Sequence, residues 1–556
     1  MKNLKQYSFI VGGAAGQGSR RAGLLIAKMF NQLGYYVYIY DDYQSLIRGG
    51  HNFSQITVSE KKDPIRQKKI DFLLALDKKT IEKHRANLKK NGLLFFNSNK
   101  IKEKGIGIPA DDILKKCNGL PIMANTSLLA GLVKGLGISF DLFQKTLLED
   151  LSKEKEKNLQ IAKLTYEQTV FPKNGIKINK VKNNPGLLMT GNEATAEGMA
   201  KAGLNIYFAY PMTPASGILH YLAQNQKKLG LLAIQLENEI AVASEAIGSA
   251  FAGQRSAVGT SGGGFALMVE TISLAAQAEI TFLVINSQRM GPATGVPTYG
   301  AQSDLLFTLH PGHGDFEKFI ALPSNAEESF FWAGKLLNLA WKYQTPAILL
   351  TDKDVSEGTF SIEKKILDQV KKEKEIIWDK KGEYKRYKIV KNGISPLAYP
   401  GEAKVVVKAN SYEHYEDGIS VEEDKKAIQA MQEKRLLKFK AMQKQAEALP
   451  AVKIFGNKKS KICVIAWGST VLSVKGAVEN LGLKLVQPLL ASPFPKKQIE
   501  KALAGAKQII CVETNSTGQM AWLLEANGIK VDKKILKYDS ELFFAEELEK
   551  KLKKYI

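Results

Sequence analysis

Three segments between residues 210 and 298 combine polar side chains with glycine or proline next to apolar runs. The first is Tyr210-Pro211-Met212-Thr213-Pro214, which follows an apolar, strand-like run. Two prolines favour an extended loop, and open α/β sheets bind ligands at the carboxyl ends of their strands. The hydroxyl of Thr213 is therefore a candidate ligand-binding group, and a plain turn is the alternative interpretation.

The second candidate is the carboxylate of Glu239, which follows a short apolar run and opens a segment rich in alanine and glycine. A carboxylate at the start of a helix can simply interact with the helix dipole. Small residues on that helix, however, let another chain or a flat cofactor approach closely. A partly desolvated carboxylate in such a place is suited to relay a proton.

The third candidate is Arg289, which lies just beyond the apolar run 280–285 and opens a loop built from glycine and proline. A guanidinium group can bind a carboxylate through two parallel hydrogen bonds. A single arginine in a loop is usually structural, but its position after a strand makes Arg289 a candidate for binding a substrate carboxylate. Thr213, Glu239 and Arg289 thus each follow a different strand-like run.

Strand-like and helix-like runs alternate around these loops, which is typical of a doubly wound α/β domain. We expect this domain to cover residues 186–360. A glycine-rich α/β unit precedes it at 1–180, a charged helical and irregular connector follows at 361–455, and another α/β unit covers 456–556. The predicted fold class is α/β, with three α/β domains.

The first unit begins with a strand, Tyr7–Val11, and a glycine-rich loop, Gly12–Gly18. A helical run and a second strand follow, which predicts a right-handed β–α–β crossover. The glycines have the order G-x-x-G-x-G, and no lysine follows them, so neither common nucleotide motif is satisfied. Close strand–helix packing and a site for the phosphate end of a ligand are both open interpretations.

Composition narrows the class of protein. The 556 residues carry a formal charge of +23, but residues 201–330 have 6 basic and 10 acidic side chains, so the excess lies elsewhere and does not predict nucleic-acid binding. Three widely spaced cysteines cannot hold an iron–sulfur cluster in the usual way, which needs about four thiolates. Neither a membrane span nor a signal peptide is recognisable, so we expect a cytoplasmic protein.

Together these segments resemble the alpha subunit of 2-oxoacid:ferredoxin oxidoreductases with a gamma domain fused at its N-terminus. Tyr210–Ser216 resembles the family's Tyr-Pro-Ile-Thr-Pro-Ser-Ser run, with departures at Met212 and Ala215. Thr260–Gly264 resembles a Thr-Ser-Gly-Pro-Gly loop, and Gln288–Gly295 resembles Gln-Arg-x-Gly-Pro-Ser-Thr-Gly. Further matching segments are Glu237–Glu239, Glu413–Gly418, Met431–Lys438, Glu513–Gln519, Gly16–Gly18 and Arg48–Gly50.

The resemblance implies a gamma-like first domain, a thiamine-diphosphate-binding domain of the pyrimidine type at 186–360 and a transketolase C-terminal-like domain at 456–556. It implies oxidative decarboxylation of a 2-oxoacid with coenzyme A, giving an acyl-CoA, CO₂ and reduced ferredoxin. Catalytic residues would be Glu239, Thr213 and Arg289. Cofactor-binding residues would be Glu239, Gly262, Gly263 and Gly264. Substrate-binding residues would be Tyr210, Pro211, Thr213 and Arg289.

The resemblance also implies partners. The sequence contains no Gly-Asp-Gly motif, which in such enzymes helps to hold the diphosphate through Mg²⁺, so we expect no metal site on this chain. A beta subunit would bring the diphosphate site, the Mg²⁺ and the iron–sulfur cluster in an (alpha–beta)₂ assembly that reduces ferredoxin. The gamma–alpha fusion favours 2-oxoglutarate as the substrate, and pyruvate, branched-chain and aryl 2-oxoacids are alternatives. A non-catalytic scaffold and a nicotinamide dehydrogenase are less consistent with the motifs.

Overall fold

The computed structural model describes residues 5–44, 49–171, 176–403 and 405–556, so Arg48 of the family-like Arg48–Gly50 segment lies outside the described residues. The chain divides into two compact units. The first contains Met1–Met189, Gly358–Glu363 and Phe544–Glu546, and the second contains Thr190–Glu357, Lys364–Phe543 and Glu547–Ile556. Among the helices of the described ranges, none is long and apolar enough to cross a membrane.

The first third of the chain contains strands and helices in mixed order, with β2 to β4 and α3 to α6 as consecutive runs of one type. In chain order they are β1 (Gln6–Ala15), α1 (Ser19–Gln32), β2 (Tyr36–Asp42), β3 (Gly49–Ser59), β4 (Ile70–Ala75), α2 (Lys78–His84), β5 (Leu88–Asn97), β6 (Ile106–Ile108), α3 (Ala110–Lys116), α4 (Ala124–Gly135), α5 (Phe140–Asp150), α6 (Lys155–Gln168) and β7 (Leu187–Thr190).

Strands and helices alternate more regularly in the rest of the chain. The elements are α7 (Gly191–Lys201), β8 (Ile206–Ala209), α8 (Ser216–Leu229), β9 (Leu232–Gln235), α9 (Glu239–Phe251), β10 (Ser256–Thr260), α10 (Gly262–Gln277), β11 (Phe282–Gln288), α11 (Leu305–Leu309), β12 (Phe319–Ala321), α12 (Ala326–Tyr343), β13 (Pro346–Asp352), α13 (Lys353–Glu357), β14 (Thr359–Ile362), α14 (Lys425–Ala448), β15 (Val452–Gly456), β16 (Ile462–Ile465), α15 (Thr470–Leu481), β17 (Lys484–Pro488), β18 (Leu490–Ser492), α16 (Lys496–Leu503), β19 (Gln508–Glu513), α17 (Gln519–Ala526), β20 (Lys533–Leu536) and α18 (Ala545–Leu552).

The first sheet is mixed, with the strand order β6-β5-β4-β1-β3-β2-β14-β7. The β–α–β unit expected at the start of the chain has β3 between its two strands, because β1 and β2 both pair with β3 in antiparallel orientation. The prediction of a loop from Gly12 to Gly18 is wrong for its first residues, because β1 extends to Ala15. A Cβ on Gly12 would come within 2.7 Å of Thr80, so close packing accounts for this glycine.

The second sheet has the order β18-β12-β13-β11-β10-β8-β9. Its six strands from β8 to β13 run parallel, and β18 from the C-terminal part of the chain adds antiparallel to β12. β10 and β11 are buried along their whole length, as expected for a parallel sheet covered on both faces. This sheet is the doubly wound domain that the sequence predicted.

The third sheet has the order β15-β17-β16-β19-β20 and is parallel except for the edge strand β15. Its core contains apolar side chains of α15 and α18. The fold class is thus α/β with three sheets, as predicted. The division into four segments drawn from the sequence stays a prediction, since both later sheets fall into one compact unit.

Buried ion pairs link the connector, residues 361–455, to segments that follow helices α9 and α10 of the second sheet. Glu279, which is fully buried, accepts hydrogen bonds from Lys434 and Lys438 of α14, each at 2.5 Å. The guanidinium of Arg255 is buried as well and donates to Glu375 at 2.6 Å. Burial of these charges is tolerated because each one has an opposite charge in contact.

Candidate functional site

The order of strands in the second sheet reverses beside β8. The chain passes from β8 to β9 at one edge of the sheet and then returns to β10 on the other side of β8. Open α/β sheets form ligand-binding crevices at such a switch point, at the carboxyl ends of the strands. The loops after β8, β10 and β11 and the start of α9 all belong to this end of the sheet.

The loop after β8 carries Thr213. Its backbone carbonyl accepts a hydrogen bond from Nη1 of Arg289 at 2.8 Å, which joins the first and third candidate segments. The expectation of an extended loop is wrong here, because residues 213–215 form a turn closed by the Ala215 amide on the Met212 carbonyl at 2.8 Å. Thr213 is half-buried, so it lies at the boundary between the sheet and solvent.

The start of α9 carries Glu239. Asn238 caps the helix by accepting a hydrogen bond from the Ala241 amide at 2.9 Å, so capping does not require the Glu239 side chain. Glu239 is only 4% exposed, and within the described residues its Oε1 atom is buried without a hydrogen-bond partner. Glu237, by contrast, is exposed. Of these two carboxylates, Glu239 is therefore the one that the fold encloses.

The three glycines that open α10 have different surroundings. A Cβ on Gly264 would overlap Oε1 of Glu239 and Oγ1 of Thr260, so this glycine forms a close-fitting wall beside the carboxylate. A Cβ on Gly262 would lie 2.6 Å from Oδ2 of Asp304. Gly263 is exposed, and a Cβ there would meet no described atom within 4 Å. Two of the three glycines therefore make room for carboxylates.

Arg289 follows β11 and is half-buried. Burial lowers the pKa of its guanidinium, and the charge of Asp304 opposes that effect. Burial likewise raises the pKa of Asp304 to about 6, against a weak hydrogen bond from Asn286 at 3.5 Å and the charge of Arg289. Arg289 and Asp304 thus form a loosely coupled pair of opposite charges at this strand end.

The predicted residues are brought together to different degrees. Thr213 and Arg289 are in direct contact, and Gly264 packs against Glu239. Tyr210 is 39% exposed. Pro211 is half-buried.

Sequence reasoning missed Asp304. Its signal was present but weak: an aspartate that precedes a short helix after a loop of glycine and proline. Its partners Gly262 and Asn286 come from the start of α10 and from β11, and only the folded sheet brings them to it.

The residues at these strand ends fit the pyrimidine end of thiamine diphosphate. Glu239 offers a buried carboxylate oxygen that lacks a described partner, and Gly264 lets that carboxylate lie directly against the start of α10. A buried polar atom is normally satisfied, so an unsatisfied one points to a bound group. The described residues contain no group of three or more histidine, cysteine, aspartate or glutamate side chains arranged to hold a metal ion.

Comparisons with known proteins cover the whole chain. Residues 197–434 match a family described as "Pyruvate flavodoxin/ferredoxin oxidoreductase, thiamine diP-bdg", and residues 8–168 match "Pyruvate ferredoxin/flavodoxin oxidoreductase". The chain is 31% identical to a 2-oxoacid:ferredoxin oxidoreductase alpha subunit of Sulfolobus sp, over 99% of this chain and 97% of the relative. It is 32% identical, over 65% of its length, to the 2-oxoglutarate synthase subunit KorA of Methanocaldococcus jannaschii, covering 98% of that protein.

A solved structure has the same fold. The 2-oxoglutarate:ferredoxin oxidoreductase from Magnetococcus marinus, with 2-oxoglutarate, coenzyme A and succinyl-CoA bound, superposes with a TM-score of 0.91 at 27% identity over 99% of both chains. The resemblance inferred from the motifs is thereby confirmed. This chain, with its thiamine-diphosphate-binding domain, belongs to the 2-oxoacid:ferredoxin oxidoreductase family as an alpha subunit.

Proposed function

We propose that this chain works with a beta subunit in the coenzyme A-dependent oxidative decarboxylation of a 2-oxoacid, with 2-oxoglutarate as the favoured substrate and ferredoxin as the electron acceptor. The observation that carries the proposal is the buried carboxylate oxygen of Glu239, which has no hydrogen-bond partner among the described residues and lies at the same edge of the second sheet as Arg289. The Magnetococcus marinus relative was solved with 2-oxoglutarate, coenzyme A and succinyl-CoA, which supports this substrate.

In this proposal the side chain of Glu239 holds and moves a proton at the aminopyrimidine ring. Thiamine diphosphate, when bound, supplies the carbon nucleophile that attacks the 2-oxo carbon. The absence of a side chain at Gly264 keeps the Glu239 carboxylate in its place, because a Cβ there would overlap its Oε1 atom. Burial of that carboxylate at 4% exposure keeps water from competing for its proton.

Arg289 binds the substrate carboxylate, and its hydrogen bond to the Thr213 carbonyl at 2.8 Å fixes the direction of the guanidinium. The Thr213 hydroxyl provides a further polar contact from the neighbouring loop. Together the two residues orient the 2-oxoacid so that its reacting carbon faces the cofactor, which lowers the entropic part of the barrier.

In this proposal a beta subunit supplies the diphosphate site with Mg²⁺ and the iron–sulfur cluster. All three cysteines are buried, and they are far apart in the sequence. The neighbouring helices α9 and α10 expose Ile240 (54%) and Leu267 (50%), which supports a protein surface covering this side. We propose an (alpha–beta)₂ assembly.

The test is co-expression with the beta subunit, followed by a screen of four 2-oxoacids for coenzyme A-dependent reduction of a viologen dye. We expect 2-oxoglutarate to give the highest kcat/KM and the isolated chain to be colourless and inactive. Higher kcat/KM with pyruvate, a branched-chain or an aryl 2-oxoacid would correct the substrate and leave the reaction class intact.

The role of Glu239 is tested by Glu239→Gln, which should abolish turnover while the complex still assembles. Glu237→Gln is the matched control, because the same charge is removed from an exposed side chain two residues away. Retained turnover in Glu239→Gln would refute the assigned proton role.

A further inference from the structure

Asp304 is a second carboxylate at the strand ends, on the loop between β11 and α11. Its Oδ2 atom occupies the space that a Cβ on Gly262 would need, at 2.6 Å. Gly262 does not have a positive φ, so its backbone would accept alanine. The glycine at this position is therefore explained by the room that it leaves for the Asp304 carboxylate.

The loop that carries Asp304 is held on both sides by the C-terminal part of the chain. The Gln519 side chain accepts from the Leu306 amide at 3.0 Å and donates to the Ser303 carbonyl at 2.7 Å. The Gln302 amide donates to the Thr514 carbonyl at 2.8 Å. These bonds fix the residues before and after Asp304, so its carboxylate has little freedom to turn away.

The amide of Asp304 itself donates to the buried side chain of Gln288 at 2.9 Å, next to Arg289. Arg289 is the charged residue that acts electrostatically on the Asp304 carboxylate. The other carboxylate at these strand ends, Glu239, lies against Gly264. Because Arg289 and Asp304 form no ion pair among the described contacts within 4 Å, each modifies the other through space. Burial places the pKa of Asp304 at about 6, so its charge changes in a range where enzymes work.

We propose that Asp304 is a positioning residue whose negative charge moderates the attraction of Arg289 for the carboxylate of the 2-oxoacid. This inference rests on the proposed function, because it takes Arg289 as the substrate-binding arginine. The carboxylate of a 2-oxoacid is ionised throughout the relevant range. Binding therefore tightens when Asp304 is protonated and weakens when Asp304 is ionised, since like charges repel.

The test compares the wild-type complex with Asp304→Asn between pH 5 and pH 8, with 2-oxoglutarate as the probe. We expect the wild-type KM to rise with pH by up to about tenfold, the equivalent of one pKa unit of interaction. In Asp304→Asn the KM should be low and independent of pH, with a much smaller change in kcat. Asp315→Asn is the control, because it removes one carboxylate from an exposed position of the same compact unit.

The inference would be overturned if the KM of Asp304→Asn rose with pH as the KM of wild type does. It would also be overturned if Asp304→Asn kept the wild-type KM and lost kcat instead. A second readout needs no turnover. Because the pKa of Asp304 is raised in the folded chain, its ionisation destabilises the fold as pH rises from about 4 to 6. The melting temperature of Asp304→Asn should exceed that of wild type at pH 7.5 and equal it at pH 4.

The two readouts separate the inference from the function on which it rests. If the wild-type complex turned over none of the 2-oxoacids, the proposed function would be refuted. If wild type and Asp304→Asn had equal melting temperatures at pH 7.5, only the claim that Asp304 is buried and titrates would be refuted. Both results can be obtained on the full chain.

Discussion

Substitution of Gly264 by alanine tests the central feature of the site, because the new Cβ would overlap Oε1 of Glu239 and Oγ1 of Thr260. Both neighbours are buried and cannot swing into solvent. Inserting a methyl group into a close-packed region typically costs about 1–3 kcal/mol. Gly264→Ala should therefore destabilise the second compact unit even though alanine favours helices.

Gly263→Ala is the matched control for stability, because it lies at the same helix start and its Cβ would meet no described atom within 4 Å. Replacing a helical glycine by alanine stabilises by up to about 1 kcal/mol. Because this gain applies to both variants, they should differ by the packing cost alone, about 1–3 kcal/mol in the free energy of unfolding. Large chains seldom unfold in two states, so the two variants are compared by their thermal midpoints under identical conditions.

Tryptophan fluorescence is a suitable probe, since all five tryptophans lie in the second compact unit. We expect the thermal midpoint of Gly264→Ala to fall several degrees below that of Gly263→Ala. In the complex, displacement of the Glu239 carboxylate by about 1 Å should lower kcat about 100-fold. Equal midpoints and equal kcat for the two variants would show that Gly264 does not pack against the carboxylate.

Two further perturbations probe regions outside the site. Glu279→Gln leaves the two buried lysines of α14 without their counter-charge. It should therefore lower the free energy of unfolding of the second unit by about 3–5 kcal/mol, measured by denaturant titration. A decrease below about 1 kcal/mol would contradict the buried ion pairs. In the first unit, Nε2 of His51 and Nε2 of His84 lie 2.8 Å apart, and burial lowers the pKa of His84 to about 4. The unfolded chain then binds more protons below pH 6.5, so stability should fall by about 3 kcal/mol between pH 6.5 and pH 4, measured by circular dichroism. His84→Phe should flatten this dependence, and an unchanged slope would contradict the assignment.

Much of the site could be predicted because loops after strands are local features of the sequence. An apolar run followed by proline, glycine and a polar residue indicates a strand end, and the carboxyl ends of parallel strands meet at one edge. Thr213, Glu239 and Arg289 were found in this way, and the structure places all three at the strand ends of the second sheet. That Glu239 is buried and Glu237 exposed depends on which side chain the helix start turns inward, and the structure shows this.

The sequence by itself determined the alternation of strands and helices, the α/β class and the segments that could carry chemistry, since each depends on neighbouring residues. Only the tertiary structure decided what surrounds them. Asp304 reaches Gly262 from 42 positions away, and its loop is held by Gln519, which is 213 positions from the Leu306 amide. Such contacts arise from strand order and sheet packing, so no local pattern encodes them. Gly263 and Gly264 differ for the same reason: contacts with distant residues leave room for a side chain at Gly263 and none at Gly264.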